Sequence, residues 1–395
     1  MLDNLFTFSP AEIGATGVTI GLFIILQLYY LITYARPLRI AKMREHSGLP
    51  KGANHQPPVS IILYAKNDST NLQEHLPALL SQDYPEYEVI VVNDGSSDDT
   101  DEVLKILESQ YKHLYHTYLS ADVRYASRRK LALTLGIKAA KHEILLFTES
   151  TCQPASDQWI SSMVSGYTGK NTNIVLGFCK YGSYKGIKQK LIAYDNLLTG
   201  LRFLTFALSG SPYTGKGSNL SYRKELYFRH KGYSQSLNLH AGDDDLFVNE
   251  TATKENTEVV YSPDSLTEMK KIEQFNNWKE MKASRIATAR CYKGSAVVFF
   301  RLESLCFFLF TLSAITSVVM GLPGNWLISA IAGVLLLTRF ITKAVVFHKA
   351  AHMLGQKPST GSLFILEFIQ PIVNSYIHIY RIFRSDKDYT ARIGN

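Results

Sequence analysis

The 395-residue sequence predicts an α/β block of the Rossmann-like, nucleotide-binding type, set between apolar segments long enough to cross a membrane. Three observations carry that expectation. From residue 58 to 261, short apolar runs alternate with stretches of helical periodicity, which predicts a largely parallel sheet with right-handed crossovers. The block carries two acidic strand ends, Val91-Val92-Asn93-Asp94-Gly95-Ser96-Ser97-Asp98-Asp99-Thr100 and Gly242-Asp243-Asp244-Asp245-Leu246. A strand that runs into Asp-Gly-Ser-Ser and then a helix presents a carboxylate and free backbone N–H groups at the carboxyl edge of a sheet, where open α/β folds bind nucleotides. Uncharged stretches frame the block on both sides.

Residues 13–35 are uncharged and long enough to cross about 30 Å of hydrocarbon. They exceed a signal-peptide core, and the acidic Asp3 and Glu12 precede them. Arg36, Arg39, Lys42 and Arg44 follow, so the positive-inside rule places the α/β block in the cytoplasm. Residues 47–56 read as a tether. Residues 59–64 form a nearly continuous apolar run, a strand buried on both faces. Ser69-Thr70 is expected to cap the next helix, where Leu72, Leu76, Leu79 and Leu80 share a face and Pro77 introduces a kink. Residues 88–92 predict a second strand. Thr100 or Asp99 caps the helix after it, with Asp101 and Glu102 in its first turn and Val103, Leu104 and Leu107 facing inward. Further strands are predicted at 144–147, 174–178 and 258–261.

Apolar stretches at 305–320 and 326–347, joined by the uncharged link 321–325, predict a hairpin of two spans. Arg301 and Glu303 stand at its entry, and Arg339, Lys343 and Lys349 return the chain to the cytoplasm. Residues 363–383 carry Glu367, Gln370, Pro371, Asn374 and His378, while Phe364, Phe368, Ile372, Tyr376 and Tyr380 repeat at helical spacing. That pattern fits an interfacial amphipathic helix, with a helix packed on the α/β block as the alternative. The chain thus divides into an N-terminal span (1–36), a basic tether (37–57), the α/β domain (58–292), a two-helix hairpin (293–349) and an interfacial C-terminal part (350–395). The expected location is the cell membrane, multi-pass.

Hydrophobic residues make up 46% and charged residues 19% of the chain, which suits a part-soluble, part-membrane protein. The net charge of +8 gathers beside the apolar segments and favours membrane lipids over nucleic acid, for which no motif is present. Cys152, Cys179, Cys291 and Cys306 lack CxxC spacing, consistent with a reduced compartment and no zinc site.

Five motifs in order resemble the membrane-anchored, processive-type family 2 inverting glycosyltransferases, which share the catalytic domain of cellulose, chitin and hyaluronan synthases. They are Val59-Ser60-Ile61-Ile62 with Lys66-Asn67-Asp68, the Asp94 strand end, Arg129-Lys130 with Ala132-Leu133, Gly217-Ser218-Asn219-Leu220-Ser221-Tyr222-Arg223, and Gly242-Asp243-Asp244-Asp245-Leu246-Phe247. The resemblance covers residues 59–292 and the flanking helices. It implies a GT-A fold, a nucleotide-sugar donor (usually a UDP-sugar), a hexosyl transfer with inversion at the anomeric carbon, and a role in polysaccharide biosynthesis. Through it Asp244 takes the general-base position with Asp243 beside it. Asp68, Asp94, Lys130 and Glu149 fall on the donor side, and Trp278 and Arg285 on the acceptor side. An inverting transfer needs one base to take the acceptor proton and cations to neutralise the leaving diphosphate. Asp243 and Asp245 are expected to raise the proton affinity of Asp244 by like-charge proximity.

Two segments depart from the family. Where the family reads Thr-Asp-Ala-Asp-Cys-x-Pro, this chain reads Thr148-Glu149-Ser150-Thr151-Cys152-Gln153-Pro154. Glu149 keeps one carboxylate for Mg²⁺ or Mn²⁺, but Thr151 replaces the second with a neutral hydroxyl and weakens the site. Where the family reads Gln-x-x-Arg-Trp, the chain has Met281-Lys282-Ala283-Ser284, followed by Arg285. Three readings stay open: an active glycosyltransferase in which Glu149, Lys130 and Arg285 share the neutralising role, a non-catalytic binding or scaffold protein, and an enzyme using a lipid-phosphate sugar. Three spans are few for a channel, so transfer to a glycan or lipid-linked acceptor is favoured over extrusion, unless a membrane partner protein completes a channel.

Overall fold

The computed structural model describes residues 9–46, 56–120, 127–182, 184–270, 274–322, 325–358 and 360–384. The first helix, α1 (Pro10–Leu28), opens with a reciprocal cap in which the Glu12 N–H donates to the Ser9 hydroxyl and the Ser9 N–H to the Glu12 carboxylate. It passes through one π-helical segment, Tyr29–Tyr34, into α2 (Arg36–His46). Pro37 has no N–H to give the carbonyls before it. Side chains serve them instead: Arg39 donates to the Leu31 and Ile32 carbonyls at 2.6 and 3.0 Å, and the Thr205 hydroxyl to that of Thr33 at 3.1 Å. The expected tether is therefore helical through residue 46, and residues 47–55 lie outside the described ones.

β1 (Val59–Ala65), α3 (Ser69–Leu80), β2 (Tyr87–Asn93), α4 (Thr100–Gln110), β3 (Leu114–Tyr118), α5 (Arg128–Ala139) and β4 (Ile144–Phe147) alternate as expected. Their strands lie parallel in the order β3-β2-β1-β4, with Ala65 beside Asn93 and Ile62 beside Phe147. The predicted caps need correction. Asp98, not Ser69, Thr70, Asp99 or Thr100, caps the first residue of both α3 and α4, while the Thr100 hydroxyl accepts the Asp68 N–H at 3.0 Å. The Asp98 carboxylate accepts from the Ser69 N–H at 3.1 Å and from the Thr100 N–H and hydroxyl at 3.2 and 2.6 Å. Both helices start side by side at the sheet edge, so one carboxylate serves both.

The chain continues through β5 (Gln153–Pro154), α6 (Trp159–Val164), β6 (Ile174–Leu176), β7 (Cys179–Tyr181), α7 (Gly186–Leu208), β8 (Leu220–Arg223), α8 (Lys224–Arg229), α9 (Asp245–Thr251), β9 (Thr257–Val259), β10 (Thr267–Met269) and α10 (Phe275–Ala289). β8 inserts antiparallel between β4 and β6, and β9 pairs parallel with β6, completing the seven-strand order β3-β2-β1-β4-β8-β6-β9. β5, β10 and β7 form a separate three-stranded sheet.

Side chains alternate across the main sheet. Val59, Ile61 and Leu63 join Leu72, Leu76, Leu104 and Trp159 on one face, while Ile62, Ile90 and Val92 join Leu133 and Ile137 on the other. The second core continues through α7 to Leu26, Tyr30 and Tyr34, and on to α11 (Ala296–Gly321), α12 (Trp326–Met353) and α13 (Leu363–Ile382).

Among the described residues, four helical stretches are long and apolar enough to cross a membrane: Pro10–Arg44, Gly186–Leu208, Ala296–Gly321 and Trp326–Met353. α7 was not among the expected spans. It is apolar because it is core, with 72% of its most apolar window buried inside the protein. The other three expose Ile24, Leu312, Val334, Leu337 and similar side chains. α13 leaves Phe364, Ile372 and Tyr376 exposed while its other face is packed.

Three charged residues at the hairpin need a different account from the sequence expectation. Arg339 and Lys343 do not flank the helix as exposed cations. They are 4% and 5% exposed and share the buried carboxylate of Glu367, with Lys343 at 2.6 Å and Arg339 Nη1 at 3.0 Å, while Tyr30 lies 2.9 Å from Arg339. Glu303 likewise is buried, accepting from the Tyr34 hydroxyl at 2.6 Å and from Arg202 of α7 at 2.9 Å. A charge inside an apolar helix assembly persists only when paired, and these pairs fasten α7 to α11 and α12 to α13.

Candidate active site

The site grows from the carboxyl edge of the parallel strands. After β2, Asn93 Oδ1 accepts the Ser96 N–H and hydroxyl, and Gly95 takes the left-handed conformation (φ 60°) that this tight turn requires. Asp94 is 1% exposed and fully engaged: it accepts from the Tyr64 hydroxyl and Arg128 Nε, both at 2.7 Å, with the Lys66 ammonium at 3.4 Å. Asp68 turns to its own loop, accepting from the Lys66 N–H and the Asn71 amide at 3.1 and 3.0 Å.

The second acidic turn enters through Gly242, whose φ of 102° excludes ordinary side chains and whose Cβ would stand 2.7 Å from Leu246 Cδ1. Asp244 is the α9 cap. Its Oδ1 accepts the Asp245 N–H at 2.7 Å, its Oδ2 the Gly217 N–H at 2.8 Å, and Arg285 Nη2 lies 3.3 Å away. Burial opposes its charge, but Arg285, the Gly217 N–H and Arg129 outweigh it and hold the carboxyl below the usual range. The expected increase in proton affinity falls instead on Asp245. Burial first, then the neighbouring Asp244, push it up to about 6. Asp245 is 1% exposed and accepts from the Thr288 and Tyr292 hydroxyls, so it supports the turn from beneath.

Asp243 is held by Arg129, whose Nε donates to it at 2.9 Å and whose Nη2 reaches Glu149 at 3.2 Å. The guanidinium also lies over the Tyr64 ring, 5.2 Å from its centroid. Tyr64, Arg129, Glu149, Gly217, Asp243 and Asp244 line one open cavity.

Lys130 and Trp278, expected near donor and acceptor, are placed elsewhere. Lys130 is 1% exposed and donates to the Ser236 carbonyl and hydroxyl and the Leu239 carbonyl, pinning that loop, and burial pushes its pKa down to about 8. It shares the i, i+3, i+7 face of Leu133 and Ile137, which turns it inward and leaves Arg129 facing the cavity. Trp278 is 2% exposed, packed on Phe275 and under the Lys282 ammonium. Arg285, by contrast, is brought to Asp244. The sequence reading assigned no role to Tyr64 or Arg128, and Arg129 entered only as part of the Arg129-Lys130 motif. Lys216, in the 215–219 stretch that resembles the family's loop under the acceptor, donates to Asn196 at 2.6 Å and is lowered to about 8 by burial and then by Arg285.

The residues present do not fit a divalent metal ion. Glu149 is engaged by Arg129, the Thr151 hydroxyl sits 3.8 Å from the Cys152 sulfur, and among the described residues no three His, Cys, Asp or Glu side chains converge as a ligand set.

The family model "Glycosyl transferase family 2" matches residues 60–227. Glycosyltransferase AglE of Haloferax volcanii is 35% identical over 123 residues, which is 31% of this chain and 39% of that protein. Poly-beta-1,6-N-acetyl-D-glucosamine synthase of Staphylococcus epidermidis is 30% identical over 125 residues, 31% of this chain and 28% of that protein. The matched region thus spans well under half the length of these relatives. Mannosyltransferase PcManGT from Pyrobaculum calidifontis, solved in complex with GDP-Man and Mn²⁺, superposes with a TM-score of 0.56 at 16% identity, covering 86% of this chain and 98% of that one, and shows the fold to be shared.

Proposed function

We propose, from the match of residues 60–227 to the glycosyl transferase family 2 model, that this chain is a membrane-bound transferase that moves a sugar from a nucleotide-sugar donor to a glycan or lipid-linked acceptor with inversion. Asp244 carries the reading. It is a partly exposed, ionised carboxylate, oriented by two backbone N–H groups and Arg285, and it opens on the cavity that Glu149 and Arg129 share. The acceptor oxygen forms its bond to the anomeric carbon as the bond from that carbon to the diphosphate oxygen breaks. The bonding pair departs with the diphosphate, and the hydroxyl proton passes to Asp244. Asp94, with Tyr64 and Arg128, forms the nucleoside end of the donor site. Buried Asp245 keeps Asp244 in place. The relatives' names support glycosyl transfer, and α1, α11 and α12 support a membrane location.

The purified full-length protein, given a panel of UDP- and GDP-sugars, is expected to release nucleoside diphosphate from at least one donor at about tenfold or more above protein-free hydrolysis. Background rates with every donor overturn the transferase reading and leave a binding or scaffold role. The basic run after α1 further supports a cytoplasmic catalytic domain. A reporter inserted near Gln110 is expected to give a cytoplasmic signal, and an exported signal reverses the topology.

A further inference from the structure

We propose that Arg129 takes the place of the divalent cation in this site, holding the donor diphosphate through its guanidinium against Glu149 and Asp243. The inference rests on the transferase reading above and deepens it. Glu149, Asp243 and Asp244 line one cavity, and a diphosphate entering it meets three carboxylates. Some cation must stand between them. The first position of the altered motif keeps its carboxylate in Glu149, while the second offers the Thr151 hydroxyl, turned beside the Cys152 sulfur. The guanidinium of Arg129 bridges Glu149 and Asp243 at 3.2 and 2.9 Å.

The bridge leaves capacity to spare. A guanidinium has five N–H donors in a fixed fork that matches phosphate oxygens. Glu149 and Asp243 engage two of them, and among the described residues no other acceptor engages the rest. The side chain is 32% exposed, so those donors are reachable from the cavity. The Tyr64 ring lies beneath the guanidinium, 5.2 Å from its central carbon, and the first turn of α5, capped by Ser127, adds its positive end to the same point. Arg285, 3.3 Å from Asp244, is a second cation at the site. A chelator removes a metal ion but not a side chain, so donor-site affinity in this protein is independent of added metal.

The test uses full-length protein in detergent, calorimetry with UDP and GDP in EDTA and in Mn²⁺, and electron paramagnetic resonance of Mn²⁺ without nucleotide. In the wild type, the Kd for the nucleoside diphosphate is expected to differ less than about threefold between EDTA and Mn²⁺, with no protein-bound Mn²⁺ signal. Arg129→Gln is expected to weaken binding in EDTA by about tenfold or more, and Arg129→Lys to recover part of that loss. Thr151→Asp alone leaves the metal response unchanged because the guanidinium still fills the position. Arg129→Gln with Thr151→Asp is expected to gain a bound Mn²⁺ signal and a roughly tenfold Mn²⁺ dependence. A wild type that needs Mn²⁺ by tenfold or more, or Arg129→Gln binding as tightly as wild type in EDTA, overturns the inference while leaving the transferase reading intact. Absence of UDP and GDP binding to the wild type under both conditions removes both.

Discussion

On the proposed function, Asp244→Asn is expected to lower the rate of sugar transfer by about 10²–10⁴-fold while leaving nucleoside diphosphate affinity within about threefold of wild type. The amide oxygen still accepts one of the two backbone N–H groups that orient the carboxylate, from Gly217 and Asp245, so the turn is kept. What is lost is the group proposed to take the acceptor proton. Because Asp244 is held below the ordinary carboxylate range, it stays ionised on acidification to pH 5, and wild-type transfer does not fall over that interval through this group. Single-turnover measurement on both proteins checks the effect. Equal rates move the base elsewhere. Asp243 is then the candidate, although Arg129 holds it, because Asp245 is enclosed.

Glu367→Leu destabilises the folded chain by about 3–5 kcal/mol, since it leaves Arg339 and Lys343 buried with no counter-charge. Removing all three charges together, as Arg339→Met, Lys343→Met and Glu367→Leu, recovers most of that loss, because the apolar replacements require no partner. Chemical denaturation in one detergent compares the three proteins. A single variant as stable as wild type shows that Glu367 contributes nothing net.

The parallel half of the main sheet was legible in the sequence because its strands are short, continuous apolar runs between helices of clear periodicity, as at residues 59–65 and 144–147. β3 was not, since Leu114 alone is buried on this edge strand and its pattern is polar. β8 was hidden by Ser221, a buried hydroxyl satisfied by the Leu145 carbonyl at 2.9 Å, in a run of four residues. At the site, the acidic turn and Arg285 were legible by their order along the chain. The choice between Arg129 and Lys130 was not, because adjacent residues on a helix differ by about 100° in direction and only the tertiary packing says which faces inward. The charges on α12 misled for a related reason: a lysine near a helix end reads as a headgroup contact unless its distant partner, here Glu367, is known.

The way α7 is shared has a practical consequence for anyone preparing this protein. Its Arg202 is neutralised by Glu303 of α11, its Phe206 lies against Phe299 and Phe300, and its Tyr194 lies against Phe347 of α12. Truncating the chain to residues 58–292 strips these partners from one side of the helix that backs the main sheet. The fragment has a charged arginine without its acid and a row of aromatic rings turned to water. Deleting the apolar helices to gain solubility therefore removes part of the interior, and the smallest unit to express, purify and crystallise includes them.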